Sequence, residues 1–259
     1  MIAPFSFKRD IPADSLFLSS QHKEAAARLK YIIQSNGFGV LTGHPGSGKT
    51  TVIRHTEACL DKNKYIFCYV NESSLVPATL YSRILDSMNI NPFAFAVKLK
   101  KQFKDSVLNL YKSQNKSLVV VIDNAQELPE STVREIRYLI SFDLDSFSPL
   151  SVILAGHSDL WDTLKLRSFE LVFQCVTNHY RLQPLDQSQI KEYIIHQLKL
   201  SECRMLFPDD VVNRIHSFTR GIPRLINKVC VNCLLDMEHH GMEIADSSVI
   251  ERVINDLNF

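Results

Sequence analysis

The sequence is short of net charge and of long apolar runs, and each shortage closes off a class of protein. Its 29 Lys and Arg against 28 Asp and Glu leave a formal charge of +1 in 259 residues. That excludes a general electrostatic pull toward nucleic acid or anionic membrane, so any such contact has to come from a local patch. No apolar run approaches the ~18–20 residues that a membrane span requires. The first residues, Met1-Ile-Ala-Pro-Phe, offer no basic region followed by an apolar one, so no secretory leader is expected. A cytoplasmic protein is the expectation. No low-complexity tract or internal repeat is visible.

Cysteine occurs six times, as Cys59, Cys68, Cys175, Cys203, Cys230 and Cys233. Such scatter predicts free, buried thiols rather than a disulfide framework. Cys230-x-x-Cys233, with His239 and His240 downstream, has the spacing of zinc ligands. No second CxxC accompanies it, and the segment reads as one apolar helix, which is the preferred reading.

What is present is an alternation. Short runs rich in Val, Ile, Leu and aromatics, at residues 38–41, 65–70, 118–122 and 150–154, read as strands buried on both faces. Helical spacing fills the stretches 21–34, 49–60, 77–87, 94–112 and 131–140. Strands alternating with helices predict an α/β fold, a parallel sheet covered on both sides. From residue 183 onward the strand pattern stops. Helices are expected at 187–198, 208–217, 223–238 and 246–255, with Asp186 and Asp246 at N-cap positions and Pro208 in a first turn. The expected organisation is an α/β core over residues 1–182, with an N-terminal segment and first helix over 1–36, and a small all-helical domain over 183–259.

Gly43-His-Pro-Gly-Ser-Gly-Lys-Thr50 matches G-x-x-x-x-G-K-[ST] in full, with a strand pattern before it and a helix pattern after it. This is a phosphate-binding loop. Gly43, Gly46 and Gly48 let backbone N–H groups turn inward around phosphate oxygens, and His44, Pro45 and Ser47 complete the loop. The N-terminus of the following helix, with Thr51 in its first turn, adds a partial positive charge. Lys49 is expected at the β- and γ-phosphates of ATP, and the Thr50 hydroxyl on Mg2+.

Such a loop needs an acidic residue at the end of a neighbouring strand to hold the magnesium shell. Leu118-Val-Val-Val-Ile-Asp123 supplies it. The next residue is Asn124, whose amide can bind water but cannot take its proton. Gln126 and Glu127 are nearby polar candidates, and Glu127 is expected to point elsewhere.

These segments resemble the ExeA/TnsC-like AAA+ ATPases, a group that includes transposon target-selection proteins and ExeA-type secretion ATPases. The resemblance covers nearly the whole chain. It runs through Pro4-Phe5, Leu16-Phe17, Leu41 to Thr51, Val121-Ile-Asp-Asn-Ala-Gln-Glu-Leu128 and Glu135-Ile-Arg. The more particular parts are Phe142-Asp-Leu-Asp-Ser-Phe-Ser-Pro-Leu-Ser-Val-Ile-Leu-Ala-Gly156 and Gly221-Ile-Pro-Arg-Leu-Ile-Asn227. The resemblance implies an AAA+ core with a helical lid, a sensor residue at His157 and a second sensor at Arg224. His157 also suits a helix cap. Two departures stand out. The group usually has Asp-Glu where this chain has Asp123-Asn124, and arginines where it has Phe173-Gln174-Cys175; Arg167 and Arg181 lie nearby in a different register. An arginine acting on a neighbour's nucleotide is worth about 10³–10⁵ in rate, so slow hydrolysis is expected.

The densest basic cluster is Lys98-Leu-Lys-Lys-Gln-Phe-Lys104. On a helix, Lys98, Lys100, Lys101 and Lys104 either meet duplex DNA phosphates or form a solvated face. The resemblance implies assembly of copies into a ring or filament on double-stranded DNA, and a transposase as partner. Its secretion branch usually carries a membrane span and a further module.

Overall fold

A computed structural model of the chain describes Phe7 and residues 10–72, 74–142, 147–201 and 206–257. Pro4, Phe5, Cys203 and residues 143–146 of the resemblance lie outside the described residues. Two compact units are present. One comprises residues 22–43 and 49–182; the other comprises the described parts of 1–21, 44–48 and 183–259.

The first unit is built on β1 (Phe38–Gly43), β2 (Tyr65–Val70), β3 (Ser117–Ile122), β4 (Leu150–Gly156) and β5 (Asn178–Leu182). They pair in the order β2-β3-β4-β1-β5, and every pairing is parallel. Alternate residues go to opposite faces. Val40, Val120, Val152 and Leu154 join one buried cluster with α3 (Pro77–Ser87), α4 (Ala96–Gln114) and α5 (Glu130–Ile140). Leu41, Val119, Val121, Ile153 and Ala155 join another with α1 (Ser20–Gln34) and α2 (Lys49–Ala58). With both faces covered, β1, β3 and β4 read as continuous apolar runs. α1 lies close on β1: a Cβ on Gly39 would stand 2.2 Å from Ile32 Cδ1.

β1 and β4 run two residues past the expected ends, to Gly43 and Gly156. β5 is a strand that the apolar pattern did not identify. It pairs with β1 alone, most of its residues are half-buried, and Asn178-His-Tyr-Arg-Leu carries no apolar run. The same unit holds the short helices α6 (Asp159–Leu164) and α7 (Glu170–Phe173), which the apolar pattern also did not identify.

The second unit contains α8 (Gln187–Lys199), α9 (Asp209–Thr219), α10 (Pro223–His240) and α11 (Ser247–Asp256). Asp186 caps α8 by accepting from the Gln189 N–H, and the Gln189 side chain returns to the Asp186 backbone. Asp246 caps α11 from the N–H groups of Ser248 and Val249. Each cap is worth about 1 kcal/mol. Pro208 is itself the residue before α9 rather than part of its first turn. Between α9 and α10, Gly221 (φ +78°) accepts a hydrogen bond from Leu185 N–H at 2.8 Å, and a Cβ there would stand 2.0 Å from the Leu185 carbonyl oxygen. Only glycine fits that turn.

Cys230 and Cys233 are fully buried in this unit's core, and burial pushes the Cys233 thiol up to about 12. Among the described residues no His, Cys, Asp or Glu cluster is arranged to hold a metal, so the CxxC spacing is that of a core-facing helix. The expectation of buried thiols fails at Cys59, which is exposed at the end of α2. No helix among the described residues is long and apolar enough to cross a membrane.

Candidate nucleotide site

The motif from Gly43 to Thr50 begins where β1 ends and finishes in the first turn of α2. Gly46 (φ +80°) and Gly48 (φ +100°) adopt backbone conformations that side chains rarely allow. Lys49 Nζ donates to the Gly43 carbonyl at 3.0 Å, folding the lysine back along the loop. Ser47 N–H donates to the His44 carbonyl at 3.1 Å and closes the turn. Pro45 is exposed, and Thr51 follows Thr50 on α2.

Residues 44–48 pack with the helical unit, where Arg224 stands in the first turn of α10. The Arg224 N–H faces the Gly46 carbonyl at 3.3 Å. A Cβ on Gly46 would lie 2.5 Å from the Arg224 Cβ, so the loop has to be glycine for a second reason besides φ.

In the sheet unit, Asp123 follows β3 and is 5% exposed. Its N–H donates to the Val70 carbonyl at 2.8 Å, tying it to the end of β2. The Thr50 hydroxyl donates to Asp123 Oδ2 at 3.0 Å, and the Tyr69 hydroxyl donates to the same oxygen at 2.7 Å. Burial and the neighbouring carboxylate push the Tyr69 phenol well above its ordinary range, so it remains a donor. A hydroxyl and a carboxylate at this separation are hard oxygen donors of the type magnesium takes, so the residues present fit that ion.

Asn124 sits in the left-handed region (φ 52°), which asparagine tolerates. Its N–H donates to Asp123 Oδ1 at 2.9 Å and its amide donates to Asn71 Oδ1 at 2.8 Å. No carboxylate occupies that position, and Glu127 is exposed in a 3-10 turn. Gln126 accepts from the His157 N–H at 2.9 Å. The His157 ring turns to Asp159, with Nδ1 3.1 Å from Oδ2, at the start of α6. On β5, beside β1, His179 Nε2 meets the Thr42 hydroxyl at 2.8 Å while its ring stacks on Trp161. Burial holds His179 neutral, pushed down to about 4.

The sequence pattern missed Tyr69 and Asn71. The available signal was Tyr69-Val-Asn71 at the carboxyl end of a strand beside that of Asp123, where α/β sheets place ligand contacts.

Phe173 closes α7 and packs on Trp161, with ring centroids 5.1 Å apart. Cys175 donates its thiol to the Leu171 carbonyl, and Arg167 and Arg181 are exposed. The basic cluster on α4 divides in two. Lys98 and Lys101 are exposed. Lys100 instead pairs with Glu135 at 2.7 Å, and Glu135 also accepts from the Tyr81 hydroxyl. Lys104 donates to the Tyr138 carbonyl at 2.8 Å and to that of Ser141, above the Phe142 ring. The shared face expected of Lys100 and Lys104 is therefore a latch from α4 to α5 and its following turn, corrected by partners that only the fold brings near.

The AAA domain family matches residues 32–164. General secretion pathway protein A of Aeromonas hydrophila is 32% identical over 226 residues, covering 85% of this chain and 41% of that protein. The chain thus spans less than half the length of that relative. Among solved structures, Cdc6p from Pyrobaculum aerophilum has a TM-score of 0.71 at 17% identity, covering 100% of this chain and 70% of that one. The ADP form of the Aeropyrum pernix ORC2 protein has a TM-score of 0.69 at 14% identity, over 96% of this chain and 71% of the other. The Thermotoga maritima RuvB Holliday junction branch migration motor has a TM-score of 0.58 at 16% identity, over 93% and 70%. These structures share the fold: a parallel five-stranded P-loop sheet with flanking helices and C-terminal helices.

Proposed function

This chain belongs to the AAA domain family, and on that premise we propose that it binds ATP with Mg2+ as a conformational switch and hydrolyses it slowly. The observation that carries the reading is the contrast at the end of β3. Asp123 is fixed by Thr50 and Tyr69, while Asn124 is turned to Asn71. The reading assigns Gly43, His44, Pro45, Gly46, Ser47, Gly48, Lys49, Thr50 and Thr51 to the phosphates, and Thr50 and Asp123 to the metal. Magnesium, when bound, neutralises charge on the β- and γ-phosphate oxygens. Lys49 unfolds from the Gly43 carbonyl to meet the terminal phosphate. Asn124 orients water without accepting its proton, so the step from ATP and water to ADP and phosphate lacks a strong base. Arg224, beside Gly46, reports the occupied loop to α10. His157, held by Asp159, positions the turn before α6. A turnover assay on the purified chain tests this: turnover far below one ATP per second is expected, and several per second overturns it.

For the task served, the sequence resemblance supports a regulator of DNA transposition. Copies carrying ATP would assemble on duplex DNA, with Lys98 and Lys101 toward phosphates, and engage a transposase. Heterologous contacts that do not close give filaments, and those that close give rings. A second reading, a secretion-type ATPase, is favoured by the 32% identity to general secretion pathway protein A. Electron microscopy with duplex DNA in ATP, ADP or a non-hydrolysable analogue separates them. ATP-dependent rings or filaments on DNA support the first; absence of assembly on DNA under every nucleotide counts against it.

A further inference from the structure

We infer that Tyr69 is a positioning residue that decides which oxygen of Asp123 faces the magnesium shell. The inference deepens the nucleotide reading above and rests on it. A carboxylate offers about four acceptor sites, two on each oxygen. Oδ2 of Asp123 takes the hydroxyls of Tyr69 (2.7 Å) and Thr50 (3.0 Å), which fills it. Oδ1 takes the Asn124 N–H at 2.9 Å and keeps one site. The side chain is thereby held in one orientation and presents a single acceptor direction, suited to one metal-bound water.

Tyr69 is equipped to impose this. It lies inside β2, in register with Val121 of β3, so the phenol is aimed from a paired strand and not from a loop. The Asp123 backbone is tied to the adjacent Val70 carbonyl, which fixes both ends of the contact. Packing alone does not account for the residue: it is 41% exposed, and phenylalanine would fill the buried part of the space equally well. The hydroxyl is the part with a specific partner. Outer-shell donors of this type orient a ligand without touching the metal.

Titration of a fluorescent ATP analogue into wild type and Tyr69→Phe tests the inference, in EDTA, Mg2+ and Ca2+. Affinity in EDTA is expected to be unchanged. The Mg2+ concentration giving half-maximal metal-dependent binding rises about tenfold, the size of effect typical for loss of an outer-shell partner. Ca2+ accepts irregular geometry, so its half-maximal concentration shifts much less and the preference for Mg2+ over Ca2+ narrows. Adding Tyr69→Phe to Asp123→Asn has no further effect, because the two act through one carboxylate. Equal Mg2+ dependence in wild type and Tyr69→Phe overturns the inference while leaving the nucleotide reading intact. Equal losses in EDTA, Mg2+ and Ca2+, with a lowered Tm, assign Tyr69 to packing and also overturn it. Wild type that binds without regard to Mg2+ overturns the nucleotide reading itself.

Discussion

Two strand ends carry the candidate chemistry, and they are furnished differently. After β1, the motif has glycine at each position where φ or a close neighbour demands it, and it runs on into Lys49, whose ammonium donates to the Gly43 carbonyl, and α2. After β3, Asp123 accepts from Thr50, Tyr69 and the Asn124 N–H, but the next side chain is an amide engaged with another amide. On the proposed reading, the first region would hold a phosphate chain, and the second would hold a metal but lack a carboxylate to activate water. That reading makes metal binding and cleavage separable, since Asp123 and Asn124 are adjacent residues with different partners.

Substitutions can break this contrast or sharpen it. The largest effect is expected from Lys49→Ala, which removes the one side-chain cation of the motif. ATP affinity should fall by about 3 kcal/mol, on the order of a hundredfold, in isothermal titration. Asn124→Glu should do the reverse: affinity unchanged and turnover raised by ~10–100-fold, below the full range for a well-placed base because the Asn71 contact also changes. If turnover does not rise, the missing carboxylate is not what limits cleavage. Gly46→Ala should weaken ATP binding and reduce folding stability by about 1–3 kcal/mol, read as a lower Tm, because it meets both a left-handed backbone and the Arg224 Cβ.

The smallest effect concerns pH. His179 is pushed from 6.5 down to about 4 by burial, with Lys165 and Arg181 adding to it. Below 6.5 the unfolded chain binds the proton that the fold refuses, so this histidine's contribution to stability is present above pH 6.5 and is lost as pH falls toward 4. His179 is only partly buried, so the loss is modest. His179→Gln should flatten the slope of Tm between pH 6.5 and 4 and leave ATP affinity at pH 7.5 nearly unchanged.

How much of this was legible depended on where each residue's partners lie. β1, β3 and β4 declared themselves because strands covered on both faces must be apolar throughout. β5 did not, since an edge strand with one neighbour tolerates Asn178, His179 and Arg181. The phosphate loop and Asp123 were legible because their chemistry needs fixed types at fixed spacing. Tyr69 lies 54 residues from Asp123, and nothing in the local pattern of β2 points to the pairing. Lys100 and Lys104 looked like a free basic face because Glu135 and the Tyr138 carbonyl are supplied by another helix.

The contact between the Gly46 carbonyl and the Arg224 N–H has a thermodynamic corollary. Where one equilibrium shifts a contact, whatever else grips that contact shifts the equilibrium in return, by the same factor. A partner that seizes α10 near Arg224 would therefore retune ATP affinity as much as ATP retunes that partner's affinity. On the proposed reading, the loop would then serve as a meter for events outside the nucleotide, readable by measuring ATP binding alone.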